Sequence, residues 1–477
     1  MDEYRNDPQR SANPRRRKKT KLQIFKETYL PFVIIGVAVI FIVVCIIGSI
    51  TRGVQKKRYE EQIALEASNA LAQEKAQLAL EEQQLLTEAD ALAARYDYDA
   101  AIAILNTFSG NISEYPTINA RKAQYERERS EMVAWDDPSK IVNLSFQMLI
   151  ADLRMGLTHH SHAQSINRNF ITTGEFSKIL QELYDNGYIL VAPDDYLNKT
   201  TSADGQTVYT PKTLYLPAGK KPLVLTQTNV NYNLYLIDTN GDKLADKGGG
   251  GFASKLVMDA NGDITCEMVN SSGQTVTGDF DLVPILDAFV EDNPDFSYRG
   301  SKAVLALTGY NGLFGYRTNP EAIDYFGQDA HDEAVQQAKA IAEKLRSTGY
   351  VLACYTYENI AYGDSSVSQV ENDLARWNNE VVPILGQIDI LVYAQNSDIA
   401  SGKTYSGEKY NMLKSNGFSY FIGFCEENKT WFHADTGYAR QGRILVTGSN
   451  LTYHSDWFMG MFYASNILDS GRGNVPA

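Results

Sequence analysis

Cysteine and histidine are both scarce in this chain of 477 residues, with four of the first and six of the second. Cys45 falls inside an apolar run, so Cys266, Cys354 and Cys425 remain outside it. That odd number allows one disulfide at most and excludes a disulfide scaffold. Sparse cysteine suits a bacterial envelope. Of the six histidines, only those in Thr158-His-His-Ser-His162 lie close together. Positive charge is short beyond residue 58, where 31 Lys and Arg face 54 Asp and Glu for a net −23. Such a surface repels phosphates and excludes nucleic acid as a partner. Neither a Ser-His-Asp set nor a Gly-x-Ser-x-Gly elbow stands out.

Basic residues gather instead at the start. Residues 1–58 hold 13 Lys and Arg against 4 Asp and Glu, a net +9. Within them Tyr29 to Ile50 form 22 positions without a charge. As a helix this run is about 33 Å long, enough for a hydrocarbon core of about 30 Å. Seven Lys and Arg fall in the fifteen residues before it and four in the fifteen after, which predicts a cytoplasmic N-terminus and an extracellular remainder. The run exceeds the apolar part of a cleaved signal peptide, and no A-x-A-like site follows it. Val44 is too bulky to precede a lipoprotein cysteine. The expectation is a single-pass cell-membrane protein, with a tail at 1–28 and an uncleaved anchor at 29–50.

Residues 51–135 read as a helical stalk. No glycine or proline occurs from Gln55 to Leu105, and Leu71, Leu78, Leu85 and Leu92 recur every seven residues. The companion positions Ser68, Lys75, Glu82 and Ala89 are mostly polar, which favours a helix over a stable coiled-coil dimer. Leu92 to Leu105, with a partner at Ile118 to Ala134, is similar to one tetratricopeptide-like hairpin, too little for a repeat array.

From residue 136 apolar β-branched runs alternate with helical stretches. Strands are expected at Phe146–Leu153, Tyr188–Val191, Leu223–Thr226, Ala303–Thr308, Val351–Tyr357, Ile388–Tyr393, Phe418–Phe424 and Ile444–Thr447. Helices are expected at Phe176–Tyr184, with a Thr172/Glu175 capping box, and at Ala334–Leu345. Seven or eight such alternations predict an α/β fold, a (β/α) barrel over 136–477. An insertion near 233–280 carries two Asn-Gly turns, in Asp238-Thr-Asn-Gly-Asp242 and Asp259-Ala-Asn-Gly-Asp263, each read as a hairpin. Their glycines stand fourth, not sixth as in a calcium-binding EF-hand loop, which favours plain turns.

Several stretches carry a resemblance. Asn169-Phe-Ile-Thr-Thr-Gly-Glu-Phe-Ser-Lys-Ile-Leu-Gln-Glu-Leu-Tyr-Asp-Asn-Gly-Tyr-Ile-Leu-Val and Lys221-Pro-Leu-Val-Leu-Thr-Gln-Thr-Asn are the first two. Tyr298-Arg-Gly-Ser-Lys-Ala-Val-Leu-Ala-Leu-Thr-Gly-Tyr and Gly349-Tyr-Val-Leu-Ala-Cys-Tyr-Thr-Tyr-Glu-Asn continue it. Over roughly 140–460 the chain resembles a polysaccharide deacetylase of the NodB-homology type, carbohydrate esterase family four. That implies a distorted (β/α) barrel and metal-dependent deacetylation, in which an Asp-Asp pair supplies base and ligand and His-x-x-x-His two further ligands. By that resemblance the Asp-Asp place is Thr228-Asn229, and the His-x-x-x-His place runs from Tyr355 to Asn359 with its spacing retained. The later Arg-Pro-Pro-Tyr-like segment reads Val392-Tyr-Ala-Gln-Asn396. Amides and phenols, the latter titrating near 10, bind metal poorly at neutral pH, and threonine is no base there.

The expectation is therefore a membrane-tethered pseudoenzyme in a bacterial envelope, without cofactor, binding a cell-wall or surface glycan or an envelope protein. Its ligand-binding residues are expected to be Thr228, Asn229, Tyr355 and Asn359, joined by Tyr310, Tyr316 and Arg317 from a glycine-rich loop. One alternative is an active deacetylase whose zinc or other divalent metal has moved to His160 and His162, helped by Asp364 or Glu358. Another is a stalk that assembles an envelope complex. Asp389, Glu426, Glu427 and Asp435 are acidic but carry no informative spacing.

Overall fold

The computed structural model of the protein describes residues 20–203, 205, 207–238, 240–400, 402, 404–425, 429–435 and 437–476. The basic cluster Arg15 to Lys19 and the acidic pair Glu426 and Glu427 lie outside the described residues. Contacts divide the chain into two units, one ending at Gln83 and the other running from Gln84 to Ala477.

The first unit is helical. Lys21–Ile24, a wider π turn at Phe25–Tyr29 and Leu30–Ala93 form one unbroken helix of 73 residues that continues past the unit's end. Among the described residues it is the one helix long and apolar enough to cross a membrane. Ile34, Ile40, Phe41 and Val44 are all exposed along it, a band of apolar side chains that lipid would cover.

The second unit opens with the helical hairpin that the sequence places in the stalk. Helices Tyr98–Leu105 and Pro116–Ser130 bury Ala101, Leu105 and Ile118 between them. The hairpin is bonded to the barrel that follows. The Arg299 amide donates to the Arg95 carbonyl at 2.8 Å, and the Arg299 guanidinium meets Asp99 at 3.2 Å.

Seven parallel strands close that barrel: β1 (Val142–Phe146), β2 (Lys221–Thr228), β3 (Ala303–Leu307), β4 (Val351–Cys354), β5 (Ile390–Val392), β6 (Tyr420–Phe424) and β7 (Tyr438–Leu445). Each pairs with the next, and β7 returns to β1 through Ile444 opposite Leu144. The eight residues of β2 serve three neighbours. Its C-terminal half pairs with β3, while its N-terminal end pairs with an outer strand at Tyr188–Leu190. The fold is a distorted (β/α) barrel, as the alternation predicts. Helices Thr173–Asp185 and Gln328–Ser347 pack their apolar stripes on it through Phe176, Ile179, Leu180 and Leu183, and through Ala338, Ile341, Ala342 and Leu345. The capping box forms as expected, Glu175 accepting from the Thr172 amide at 2.8 Å.

Two strands differ from their expected bounds. β1 ends at Phe146, where the pattern places its start, and β7 begins six residues before Ile444. Both carry polar side chains into the barrel. Asn143 of β1 accepts from Thr226 at 2.9 Å and donates to Gln441 of β7 at 3.3 Å, so a buried amide network replaces apolar alternation there.

The insertion is a three-stranded antiparallel sheet of Lys255–Met258, Ile264–Val269 and Thr275–Gly278. Asn261-Gly262 sits in the first hairpin's turn, as expected. Asn240-Gly241 does not form a hairpin, because Leu234–Ile237 is a helical turn with no strand before the loop. That loop instead brings carboxylate oxygens of Asp238, Asp242 and Asp246 within 4.8 Å of one another. A second hairpin, Leu197–Thr201 with Thr207–Pro211, escapes the pattern because its outer face is polar. Cys266, Cys354 and Cys425 are buried free thiols.

Candidate functional site

The C-terminal ends of the strands frame a cavity of about 220 Å³. Five strands contribute to it: Ser145 to Gln147 at the end of β1, Thr228 and Asn229 at the end of β2, and Tyr355 and Asn359 after β4. Gln395 and Asn396 follow β5, and Arg443 and Leu445 come from β7. The four positions singled out by the resemblance, Thr228, Asn229, Tyr355 and Asn359, thus surround one space although more than 120 residues separate the pairs.

The backbone at this rim is unusual. Asn229, Asn359, Gln395 and Asn396 adopt φ of 60°, 56°, 53° and 58°, and Thr356, a β-branched residue, adopts 59°. Left-handed backbone outside glycine is uncommon, and such residues gather where a fold presents groups to a ligand. Gln395 ties two rim loops together by donating to the Asn359 carbonyl at 2.7 Å. Beneath the rim, Asp281 accepts from the Leu149 amide at 2.9 Å, from Gln227 at 2.8 Å and from the Tyr232 hydroxyl at 2.8 Å. This buried carboxyl holds the loops after β1 and β2, and its desolvation pushes its pKa up to about 6.

The lining decides the chemistry. Among the described residues no Asp, Glu, His or Cys borders the cavity, and Arg443 is the one charged side chain there. Thr228 donates its hydroxyl to the Phe146 carbonyl at 3.3 Å. Amides, a phenol and a guanidinium do not fit a divalent metal, since the amides and phenol are weak ligands and the guanidinium repels the ion. Burial pushes the pKa of Arg443 down, but a guanidinium remains a cation in a protein.

The glycine-rich loop does not join this cavity as expected. Gly312 and Gly315, at φ of 84° and 91°, turn it back so that the Leu256 amide donates to the Phe314 carbonyl at 3.0 Å. Tyr316 and Arg317 consequently line a different hollow of about 420 Å³ beside the insertion. Arg317 is used structurally there, donating to the carbonyls of Asn311 at 2.7 Å and Tyr232 at 3.0 Å. Tyr310 stays near the barrel mouth, where Tyr235 neighbours both it and Tyr355.

Nor does His160 fit the relocated metal site. The ring accepts from the His162 amide at 2.9 Å, and its other nitrogen lies 3.1 Å from the Leu236 carbonyl, so backbone groups engage both nitrogens. Its proposed helpers are engaged elsewhere, Asp364 with Ser397 at 2.6 Å and Glu358 with Arg376 at 2.7 Å. His162 instead lines a shallow hollow with Ser165, Tyr235, Gln147 and Asn169. Gln147 and Asn169 also border the main cavity, so the two hollows adjoin in one groove.

Sequence reading missed Arg443, Ser145, Gln147 and Tyr235. Arg443 lies in a strand with no motif around it, and only the barrel's closure brings it to the cavity.

No family model matches the chain, and no curated protein does. Among solved structures it is similar to a Streptococcus pyogenes deacetylase, PplD, solved in complex with acetate. The match has 15% identity, covers 66% of this chain and 98% of that one, and has a TM-score of 0.34.

Proposed function

We propose that this chain is a membrane-anchored, non-catalytic glycan-binding protein whose barrel faces outward from a bacterial cell. The observation that carries the reading is the cavity lining, rich in amides and hydroxyls and, among the described residues, without a carboxylate, imidazole or thiol. Hydrolysis of an acetamide needs a group to take a proton from water and a centre to hold the developing oxyanion. Thr228, Asn229, Tyr355 and Asn359 offer no base for the first task. The same side chains suit a hydroxyl-rich ligand, because each amide both donates and accepts. Tyr235, half exposed beside the groove, offers a ring face for a sugar to stack on. The helix Lys21–Ala93 supplies the anchor, and the Lys and Arg excess before it sets the orientation.

Incubating the full chain, in detergent micelles with added zinc, nickel or cobalt, with chitin oligomers or N-acetylated peptidoglycan is the test. No acetate above the buffer rate is expected. Acetate release that scales with protein and stops on chelation would overturn the reading.

A further inference from the structure

Three arginines of this unit are almost wholly buried: Arg440, Arg443 and Arg472, at 3%, 1% and 5% exposure. Two of them have a carboxylate. Arg440 meets Asp398 at 2.7 Å, and Arg472 meets Glu175 at 2.7 Å. Arg443 meets none among the described residues. It donates to the carbonyls of Ile422 at 3.3 Å and Tyr393 at 3.1 Å and to the Asn396 amide oxygen at 3.2 Å, while its Nε has no partner. Neutral acceptors at the long end of hydrogen-bonding range do not offset the desolvation of a guanidinium. Among the described residues this cation is also the one charge lining the barrel-mouth cavity.

Around it other groups are left open. Ser145 Oγ, Asn229 Oδ1 and Asn359 Oδ1 are buried without partners, and all three residues line the same space. Buried polar atoms are nearly always paired, so three unpaired ones beside a cation held only by neutral acceptors describe the complement of a guest. Resting on the glycan-binding reading above, we propose that the cavity takes an acidic sugar, with its carboxylate on Arg443 and its hydroxyls on Ser145, Asn229 and Asn359.

Charge and size narrow the class. A single guanidinium balances a single negative charge and matches a planar carboxylate edge, which favours a monoanion over a phosphate dianion. The net −23 beyond residue 58 repels a polyanion, so the carboxylate belongs to an occasional acidic residue in an otherwise neutral glycan. About 220 Å³ suits one sugar ring, since sites for larger ligands begin at roughly 300 Å³.

The test is calorimetric titration of the full chain, in detergent micelles, with D-glucuronic acid and with its neutral analogue D-glucuronamide. The acid is expected to bind at least about ten-fold more tightly, the worth of one charge-assisted hydrogen bond. In Arg443→Gln the two affinities should converge. Equal affinities on the unaltered chain would overturn the acidic specificity and leave the glycan reading standing, whereas binding of neither sugar would overturn both. An advantage for the acid that survives in folded Arg443→Gln would overturn the role of Arg443. Should that variant fail to fold, the acid-versus-amide comparison on the unaltered chain decides alone.

Discussion

The guanidinium of Arg443 lies 5.9 Å from the centre of the Tyr355 ring, a cation beside an aromatic face at the bottom of the barrel mouth. Both residues line the same cavity, so the ring and the cation face one space.

That relationship separates two buried arginines by what their removal would do. Arg472→Met leaves Glu175 buried without its partner, and a loss of about 3–5 kcal/mol in folding stability is expected. Arg443→Met removes a cation that has no carboxylate to abandon, so a change within about 1 kcal/mol, or a gain, is expected. Denaturant titration of both variants checks the contrast, and equal losses would contradict the uncompensated state of Arg443.

Asp281 predicts a pH effect. Its folded pKa, about 6, stands above the ordinary unfolded value of about 3.9, so the folded state holds this proton more tightly. Its contribution is therefore full below pH 4 and is lost as pH rises through 6. Two pKa units correspond to about 2–3 kcal/mol. Relative to Asp281→Asn, the unaltered chain should lose that much stability between pH 4 and pH 6.5. Parallel stability profiles for the two proteins would show that Asp281 titrates normally.

Installing the ligand set that the deacetylase resemblance implies tests the positions themselves. Thr228→Asp, Asn229→Asp, Tyr355→His and Asn359→His in one chain should confer about one zinc per molecule, measured by elemental analysis against the unaltered protein. The left-handed backbone at Asn229 and Asn359 favours the change, since Asp and His accept that conformation more readily than most residues. Removing Arg443 in addition should tighten zinc binding by relieving charge repulsion. Failure of the quadruple variant to bind zinc when folded would mean these positions do not correspond to the ligand set.

The anchor predicts a topology. Protease added to intact cells should remove the chain beyond Ile50 and leave the basic end protected. Protection of the barrel would invert the orientation.

Much of the architecture was legible in the residues. Uncharged positions from Tyr29 to Ile50 could be read as a span because a soluble core helix rarely carries so long a run, and most barrel strands were visible as β-branched runs. β1 and β7 were misplaced where Asn143, Gln441 and Arg443 interrupt those runs, because a strand inside a polar network loses its apolar signature. The deacetylase resemblance, not composition or periodicity, pointed to Thr228, Asn229, Tyr355 and Asn359, and all four line one cavity. Tyr316 and Arg317 were misjudged because glycine predicts a turn but not its direction, and contact with the insertion sheet set that direction.

The sequence by itself determined what depends on neighbours along the chain: the apolar span, the helical periodicity, the capping box at Thr172 and the lack of a base at Thr228. Only the tertiary structure decided which groups are buried and which lack partners. Arg440, Arg443 and Arg472 look alike in sequence, yet the fold leaves Asp398 beside the first, Glu175 beside the third and, among the described residues, no carboxylate beside the second. Compensation of charge depends on distances across the fold that no local pattern encodes.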